Sequence, residues 1–441
     1  MWEQIRYNQR RTVLLFFYLG AIWLLLGFVF GILASYFSAV SMFQGGMYGV
    51  LVAAVLWLFV FWFAYTFGDR ILLAMAGAKK ITIRDLHRVS NIVDEMQIAA
   101  GLEYPPDTYV IEDPALNAFA IGRDANKAAI ILTSGLLTKL NRDELQGVVG
   151  HEIAHIKNRD VLLMSLCATI LGAIEITTWF FSPKRIYRAS GMAEEGEGCF
   201  FLIVGMLIAA AIFLAIAFHN YMTILYYDLP PLRSFAVTLL VIFLAIPSFM
   251  LFTPLLAKLI YYAISRRREY LADASSALYT RYPEGLASAL EKIAKSTNQL
   301  MIASKATAAM FTVNPFREHG MAASDITNTH PPISRRIAIL RAMAYASYIE
   351  YDRAYREIGG VDKSVIPSSV MALAGTDVRP ALDKDLDRVH RARETSNLLW
   401  NLNNYRLITC DCGTRMRLPP GFKLTEVKCP HCGKIIPVPA A

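Results

Sequence analysis

The chain has 441 residues, of which 55% are hydrophobic and only 18% are charged. Soluble domains carry about 25% charged residues. The mean hydropathy is +0.37. The low charge content and the positive hydropathy together exclude a disordered chain and argue against a purely soluble protein. The net charge of +8 is too small to indicate nucleic-acid binding. Six cysteines are too few for a disulfide scaffold of this length.

Two uncharged stretches near the N-terminus, residues 12–36 and 47–67, are each long enough to cross a bilayer as a helix, which takes about 20 residues. A cleaved signal peptide is the alternative for the first stretch, but its apolar core is too long and a second stretch follows at once. Arginines precede the pair, and Arg70, Lys79 and Lys80 follow it. The positive-inside rule then predicts that the N-terminus and the chain after the second stretch are cytoplasmic.

Three more apolar stretches follow, at 161–181, 200–218 and 234–262. The last contains two prolines, so we expect it to be bent or to cross the membrane incompletely. Glu175 lies within the first of the three. An acid at this depth usually faces a protein interior or an aqueous cavity, either in a functional role or quietly paired.

Between these membrane segments the pattern predicts a soluble α+β region. Apolar residues at helical spacing indicate a helix over Ile81–Gly101. Asn141, with Glu144 three positions later, resembles a capping box and should open a helix that runs to about Asn158. The predicted short strands are 108–111, 117–121 and 128–132.

The helix opened by Asn141 carries the sequence His151-Glu152-Ile153-Ala154-His155. Two histidines at positions i and i+4 share one helical face, so both imidazoles can reach one metal ion. Glu152 lies beside the open metal position, where it can take a proton from a zinc-bound water whose pKa the metal lowers to about 7. A surface helix with a satisfied histidine pair is the alternative, which the apolar flanking residues disfavour.

A catalytic zinc needs a third protein ligand, and the segment 265–273 supplies two candidates. Glu269 and Asp273 are one turn apart on a predicted helix. One of them can bind the metal while the other accepts the N–H of a ligand histidine and so fixes its tautomer. Taken alone, the segment is more often a juxtamembrane charge cluster.

Four motifs occur in order along the chain: Leu-Asn-Ala-Phe-Ala at 116–120, His-Glu-Ile-Ala-His at 151–155, Arg-Glu with Ala-Asp at 268–273, and Thr-His-Pro-Pro with Arg at 329–336. Over roughly residues 10–345 this arrangement resembles the HtpX-type membrane metalloproteases, which are relatives of the CAAX prenyl proteases. The resemblance implies a zincin-like metalloprotease domain.

The resemblance also implies a role for each motif residue. The implied ligands of a catalytic zinc are His151, His155 and Glu269. Glu152 would be the general base. Asp273 would contact a metal-binding residue without binding the metal itself. Asn117, on an edge strand over the cleft, and His330 would hold the substrate backbone and the developing oxyanion, whose charge appears only in the transition state. Without the resemblance, His330 would be a turn histidine before two prolines.

The number of membrane crossings departs from the family pattern. His155 and Glu269 must lie on the same side of the membrane to bind one ion, so the crossings between them must be even in number. Three apolar stretches lie there, whereas the family needs two. One stretch must be re-entrant, interfacial or internal, and we favour four full spans with an irregular region around residues 230–254.

Four cysteines in the last 32 residues predict a second metal site. Two close pairs are each followed by glycine and are separated by 16 residues: Cys410, Cys412, Cys429 and Cys432. Four thiolates suit a closed structural zinc site, here a zinc ribbon with strands near 405–409 and 434–438. Disulfides are the alternative, which a cytoplasmic location disfavours. The ribbon is basic, which favours a solvated face; the functional alternatives are recruitment of a substrate or an adaptor, and nucleic-acid binding, which is the less favoured.

These observations predict a mainly α membrane protein, with transmembrane helices, a zincin-like α+β metalloprotease domain and a small C-terminal zinc ribbon. The predicted divisions are two N-terminal spans (1–80), a protease part with the metal helix (81–160), membrane-embedded helices (161–263), the C-terminal protease part (264–358), a linker (359–403) and the zinc ribbon (404–441).

The leading functional hypothesis is a multi-pass zinc metalloendopeptidase of the cell (inner or plasma) membrane, with a cytoplasmic active site. It would carry one catalytic and one structural Zn²⁺. By resemblance its substrates are misfolded or damaged membrane proteins. A non-enzymatic membrane scaffold or receptor is the alternative, against which the intact Glu152 argues. Prenyl-protein processing ranks low because the additional spans of that group are missing.

Overall fold

The computed structural model describes residues 2–35, 41–81, 86–162, 164–165, 266–296, 331–371, 375–381, 388–422 and 425–438. His330, Glu175 and the apolar stretches between residues 166 and 262 lie outside the described residues. The chain divides into two compact units. The first comprises Met1–Met75, Asn158–Arg266 and Ser304–Met310, and the second comprises Ala76–Lys157, Arg267–Ala303 and Phe311–Ala441.

The first unit contains two long helices that pack along each other, α1 (Trp2–Ser35) and α2 (Met42–Met75). Glycines line their contact: a Cβ on Gly31 would lie 2.1 Å from the Gly45 carbonyl oxygen. Small residues of this kind let two membrane helices approach backbone to backbone. Among the described residues, Met42–Ala74 alone is long and apolar enough to cross a membrane, whereas the apolar part of α1, Phe16–Ile32, is shorter.

The second unit contains a mixed four-stranded sheet with the order β1-β2-β4-β3. Its strands are β1 (Lys79–Lys80), β2 (Asp107–Ile111), β3 (Ala118–Gly122) and β4 (Ala128–Thr133). β2 and β4 are parallel, and the other two pairs are antiparallel. The three strands predicted from the sequence are confirmed to within one residue at each end. β3 is an edge strand of this sheet, and it packs against the helix that carries the two histidines.

Local signals set the ends of the helices around the sheet. α3 (His87–Ala100) ends at Gly101, whose φ of +64° is in the left-handed region that favours glycine. α4 spans Ser134–Lys139, and α5 spans Arg142–Lys157. The predicted capping box at the start of α5 is confirmed, because Glu144 N–H donates to Asn141 Oδ1 (2.9 Å) and Asn141 N–H donates to Glu144 Oε2 (2.8 Å).

Later helices complete the second unit: α6 (Arg266–Thr280), α7 (Pro283–Lys295), α8 (Ile333–Arg341), α9 (Tyr348–Gly359), α10 (Ser368–Met371) and α11 (Arg388–Leu402). α5 packs between α3 and α7, and α8 packs on α7. Every residue of α5 from Asp143 to Ile156 is buried. The core therefore forms around the histidine helix, although that helix carries many polar residues.

α5 and α7 approach each other through two glycines. A Cβ on Gly147 would lie 2.6 Å from the Leu286 backbone nitrogen, and one on Gly285 would lie 2.6 Å from the Asp143 carbonyl oxygen. Neither neighbour is a flexible side chain, so any larger residue must push the helices apart. This contact lies one turn before His151. It therefore fixes the position of α5, and of its two histidines, relative to α7.

Within residues 359–403, for which the sequence suggests a linker, the structure describes α10 and α11. α11 packs on α4 and buries Thr395 and Leu398. Two hairpins follow, one from β5 (Arg406–Thr409) and β6 (Arg415–Leu418), the other from β7 (Glu426–Lys428) and β8 (Ile435–Pro437).

We expect Gly147→Ala to destabilise the second unit by about 1–3 kcal/mol, the usual cost of overpacking a dense core. Thermal unfolding of the detergent-solubilised protein measures this as a melting temperature lower by several degrees. Gly150→Ala is the matched control, because its Cβ would meet side-chain atoms, the nearest being Ser276 Oγ at 3.2 Å. Equal melting temperatures for the two variants would contradict the proposed helix contact.

Candidate metal centre

The candidate metal centre lies where α5 meets α6. α5 contributes His151 and His155, and α6 contributes Glu269 and Asp273; all four side chains are buried. Ser276, one turn after Asp273, donates its hydroxyl hydrogen to the Gly147 carbonyl oxygen at 2.7 Å. The two helices are thereby held face to face, with their ionisable side chains directed into the contact.

Three ligand atoms converge on one point. The Nε2 atoms of His151 and His155 are 3.2 Å apart. Glu269 Oε2 lies 3.6 Å from the first of them, and Glu269 Oε1 lies 3.6 Å from the second. Tetrahedral zinc with bonds of about 2.0–2.1 Å requires ligand atoms about 3.3 Å apart. The three side chains therefore fit a metal of this size, and His₂Glu is a donor set found at catalytic zinc.

Asp273 lies on the other side of the His151 ring. Its Oδ1 atom is 3.0 Å from His151 Nδ1. A proton held at Nδ1 by this carboxylate leaves the Nε2 lone pair directed at the metal position. Burial opposes the charged imidazolium, yet hydrogen bonding to Asp273 and Glu269 raises the pKa of His151 to about 9. The carboxylates thus favour a cation here, and a bound metal ion would take the place of the proton.

Arg336, on α8, supports Asp273, and the sequence did not predict this role. It is fully buried and donates to both carboxylate oxygens of Asp273, from Nε at 2.8 Å and from Nη2 at 2.7 Å. Tyr351 adds a hydroxyl donor at 3.3 Å. Although burial raises the pKa of the Asp273 carboxyl, the Arg336 charge outweighs this effect and holds that pKa below its usual range. The only sequence signal was its place in the motif at 329–336.

Two other predicted site residues lie near these helices. Glu152 is buried on α5, next to His151. Asn117 immediately precedes the edge strand β3 and is held there by Thr133: Asn117 N–H donates to Thr133 Oγ1 (3.1 Å), and Thr133 N–H donates to the Asn117 carbonyl (3.2 Å). His330 lies outside the described residues, three positions before α8 begins at Ile333.

Arg379 joins the ends of the two helices that carry the candidate ligands. Its Nη2 donates to Asp143 Oδ1 (2.8 Å) and Gln146 Oε1 (2.7 Å) on α5, and its Nε donates to the Thr280 carbonyl (2.9 Å) at the end of α6. The guanidinium also stacks over the Tyr282 ring, 5.0 Å from its centroid. No sequence pattern predicted this contact, because it joins residues 236 positions apart.

The four C-terminal cysteines form a second candidate metal site. Their sulfur atoms all lie within 4.8 Å of one another, with Cys410 and Cys432 3.4 Å apart and Cys412 and Cys429 3.7 Å apart. Tetrahedral zinc with Zn–S bonds of about 2.3 Å requires sulfurs about 3.8 Å apart. The cysteines are free thiols rather than disulfides.

Two similar turns direct these sulfurs at one point. Gly413 (φ +83°) follows the first cysteine pair, and Gly433 (φ +74°) follows the second. Each donates its N–H to the carbonyl of the first cysteine in its pair, at 2.8 Å and 3.0 Å. Hydrogen bonding with Thr414 lowers the pKa of the Cys412 thiol, whereas, despite a backbone hydrogen bond from Cys412, burial and the neighbouring thiols raise the pKa of Cys410, so the four cysteines share their protons unequally.

Comparison with known proteins gives consistent matches. The sequence model of peptidase family M48 matches residues 84–344. A protease HtpX homolog from Dictyoglomus turgidum is 36% identical over 342 residues, which is 78% of this chain and 94% of the relative. Protease HtpX homologs from Thermoanaerobacter pseudethanolicus (33% over 350 residues; 78% and 98%) and Pyrococcus furiosus (32% over 325 residues; 73% and 96%) are also similar.

We expect Arg336→Ala to destabilise the protein by about 3–5 kcal/mol, because it leaves Asp273 buried without its cationic partner. It should also weaken zinc binding about 10–100-fold, since the support for His151 is lost. Thermal unfolding and zinc competition with a chelator measure the two effects. Arg341→Ala on the same helix removes an exposed ion pair with Glu284 and Glu291 and should change neither. Unaltered zinc affinity in Arg336→Ala would contradict the proposal that Arg336, through Asp273, holds His151 in place.

Proposed function

We propose, from the premise that the chain belongs to peptidase family M48 as an HtpX-type protease, that it is a membrane-integrated zinc metalloendopeptidase. The observation that carries this proposal is the convergence of Glu269 on His151 and His155, which lie beside Glu152 on the buried part of α5. A binding-only metal site has no need of the acid at position 152, whereas peptide hydrolysis requires a base there.

His151, His155 and Glu269 would hold the catalytic zinc, with Asp273 and Arg336 fixing the His151 ring behind it. When bound, the ion supplies a Lewis acid that polarises the scissile carbonyl and acidifies water. The four C-terminal cysteines would hold a second, structural zinc. Four protein sulfurs close a tetrahedral site, whereas two histidines and one glutamate leave a position open for chemistry.

Glu152 would act as the general base and then as the general acid. Its carboxylate would accept a proton from the attacking water and deliver that proton to the leaving amine as the peptide bond breaks. Asn117 and His330, by resemblance to the family, would donate hydrogen bonds to the substrate backbone and to the oxyanion of the tetrahedral intermediate. The hydrogen bonds with Thr133 support such a role, because they hold the backbone of Asn117 in place.

The substrates would be polypeptides bound in an extended form. β3 is an edge strand of the described sheet and packs on the metal helix, so an added substrate strand would run close to the metal centre. By family resemblance the substrates would be misfolded or damaged membrane proteins. The ribbon would recruit a substrate or an adaptor protein.

The membrane arrangement completes the proposal. Four full spans would place the N-terminus and both metal sites on the cytoplasmic side, as the flanking basic residues favour. The protease domain would comprise residues 81–160 and 264–358, interrupted by membrane segments at 161–263 and followed by the addition at 359–441.

We expect Glu152→Gln to abolish cleavage of casein by the detergent-purified protein while leaving about two zinc ions per chain, because the substitution removes only the proton acceptor. Activity and metal content by mass spectrometry are measured on the same samples. Glu144→Gln on the same helix is the control, since Glu144 caps the helix start rather than facing the metal; it should retain cleavage. Retained activity in Glu152→Gln, or loss of its zinc, would contradict the assignment.

We expect a cysteine at Ser41, in the loop between α1 and α2, to react with a membrane-impermeant maleimide on intact cells. A cysteine at the exposed Asn126 should react only after permeabilisation, because the proposed topology places that residue in the cytoplasm. The unsubstituted protein controls for the native cysteines. Labelling of Asn126→Cys on intact cells would contradict the proposed topology, because it would place residue 126 outside the cytoplasm.

A further inference from the structure

The last part of the C-terminal addition is strongly basic, although the addition as a whole (359–441), with 12 Lys or Arg and eight Asp or Glu, has a net charge of +4. Residues 388–441 contain nine Lys or Arg and three Asp or Glu, which gives +6 of the +8 for the whole chain. This segment lies beyond the M48 match, which ends at residue 344. Its charge is therefore separate from the peptidase chemistry and requires an explanation of its own.

Part of this charge lines a groove between α11 and the first ribbon hairpin. The groove has a volume of about 370 Å³ and is lined by Val389, Ala392, Arg393, Ser396 and Arg417. The α11 residues are spaced as one helical face, and Arg417 enters from β6 on the opposite side. The groove thus combines small apolar and hydroxyl surfaces with two guanidinium groups.

Arg417 is held in position before any ligand binds. Its guanidinium stacks over Trp400, 5.1 Å from the ring centroid, and its Nη2 donates to Asn397 Oδ1 at 3.0 Å. A guanidinium fixed in this way loses little freedom when it binds a planar anion. Its remaining N–H groups can still donate to a ligand.

Two of the three acids in residues 388–441 have cationic partners outside the groove. Glu394 lies 3.9 Å from Arg88 Nε and 3.6 Å from His390 Nδ1, and Asp411 pairs with Lys434. In the part of the chain that the structure describes, no carboxylate lies within ion-pair distance of Arg393 or Arg417. The described lining of the groove therefore offers two cations and no acid to a ligand.

We propose that this groove binds an acidic segment of a polypeptide, with Arg393 and Arg417 as the groups that recognise its carboxylates. A fixed guanidinium can bind a carboxylate through two parallel hydrogen bonds. The site is distinct from the metal centre, and it would bring acidic polypeptides to this protein whether or not they are cleaved.

Two other anionic partners fit the groove less well. Attraction to anionic lipid depends on diffuse surface charge and does not need a fixed guanidinium in a concave groove. Single-stranded RNA needs open aromatic faces for base stacking. Trp400 offers no such platform, because Arg417 stacks on it and Tyr405 meets it edge to face, with ring centroids 4.4 Å apart.

The test measures binding of a fluorescent Asp/Glu-rich peptide to the full-length, zinc-loaded Glu152→Gln protein in nanodiscs, by anisotropy at physiological salt. The Glu152→Gln background prevents cleavage of the probe, so failure of binding is distinguishable from failure of catalysis. We expect the matched Asn/Gln peptide to bind at least 10-fold more weakly. Equal affinity for the two peptides would overturn the proposal.

Variants then locate the site. Arg393→Gln and Arg417→Ala should each weaken acidic-peptide binding at least 10-fold, while Lys428→Gln on β7, an exposed cation outside the groove, should change it less than 2-fold. Arg393 is exposed, so its variant remains informative if Arg417→Ala disturbs the ribbon, which zinc content reports. An equal loss in all three variants would indicate diffuse charge and overturn the proposal.

Two further probes distinguish the alternative partners. Vesicles of phosphatidylcholine with and without phosphatidylglycerol test a lipid surface, and a single-stranded RNA oligonucleotide tests nucleic acid. Binding of either probe that is lost in Arg393→Gln, without binding of the acidic peptide, would refute the polypeptide assignment. Binding of the peptide alone, with the same sensitivity to Arg393 and Arg417, would support it.

Discussion

The buried ion pair between Asp273 and Arg336 is the interaction on which the metal centre depends. Two carboxylates, Glu269 and Asp273, lie in the contact between α5 and α6, and a buried carboxylate without a cation costs several kcal/mol. Arg336 balances Asp273 through two charge-assisted hydrogen bonds. The same guanidinium lies 3.6 Å from Glu269, from Nη1 to Oε2, so one buried cation faces both carboxylates before a divalent cation binds. The same pair fixes Asp273 against His151, so charge balance and ligand orientation have one structural origin.

The need to keep the buried Asp273–Arg336 pair together explains why the contacts among α5, α6 and α7 are so close. The ligands come from two helices and the balancing arginine from a third, so a small shift of any one of them would separate the charges. Gly147 lets α7 approach α5 backbone to backbone, and Ser276 ties α6 to the same glycine carbonyl. Arg379 joins the ends of α5 and α6. Since Arg379 lies beyond the family match at 84–344, the addition also contributes to holding the ligand helices together.

Local patterns in the sequence predicted most of the elements that present the site. The capping box of α5, the glycine end of α3 and the three strands each depend on residues close together in the chain, and the structure confirms them. The i, i+4 spacing likewise places His151 and His155 on one face. The roles of Arg336 and Arg379 could not be predicted, because each depends on a partner 63 or 236 positions away. Strands β6 and β7 were missed, although β5 and β8, which have the same lengths, were predicted.

In the arrangement proposed above, recognition and chemistry lie in different parts of one chain. Its first part holds the metal helices through Arg379, and its last part carries the basic groove. Asn403, at the root of the ribbon, pairs with Lys79 and donates to Glu112 Oε2 at 3.1 Å, so the ribbon is tied to the sheet of the peptidase unit. If the groove binds a polypeptide as proposed, that polypeptide is confined near the peptidase at an effective concentration of about 1 mM, the value typical of a short tether. Because Arg–carboxylate contacts at an exposed groove are screened by salt, such binding is reversible and leaves the choice of the scissile bond to the metal centre.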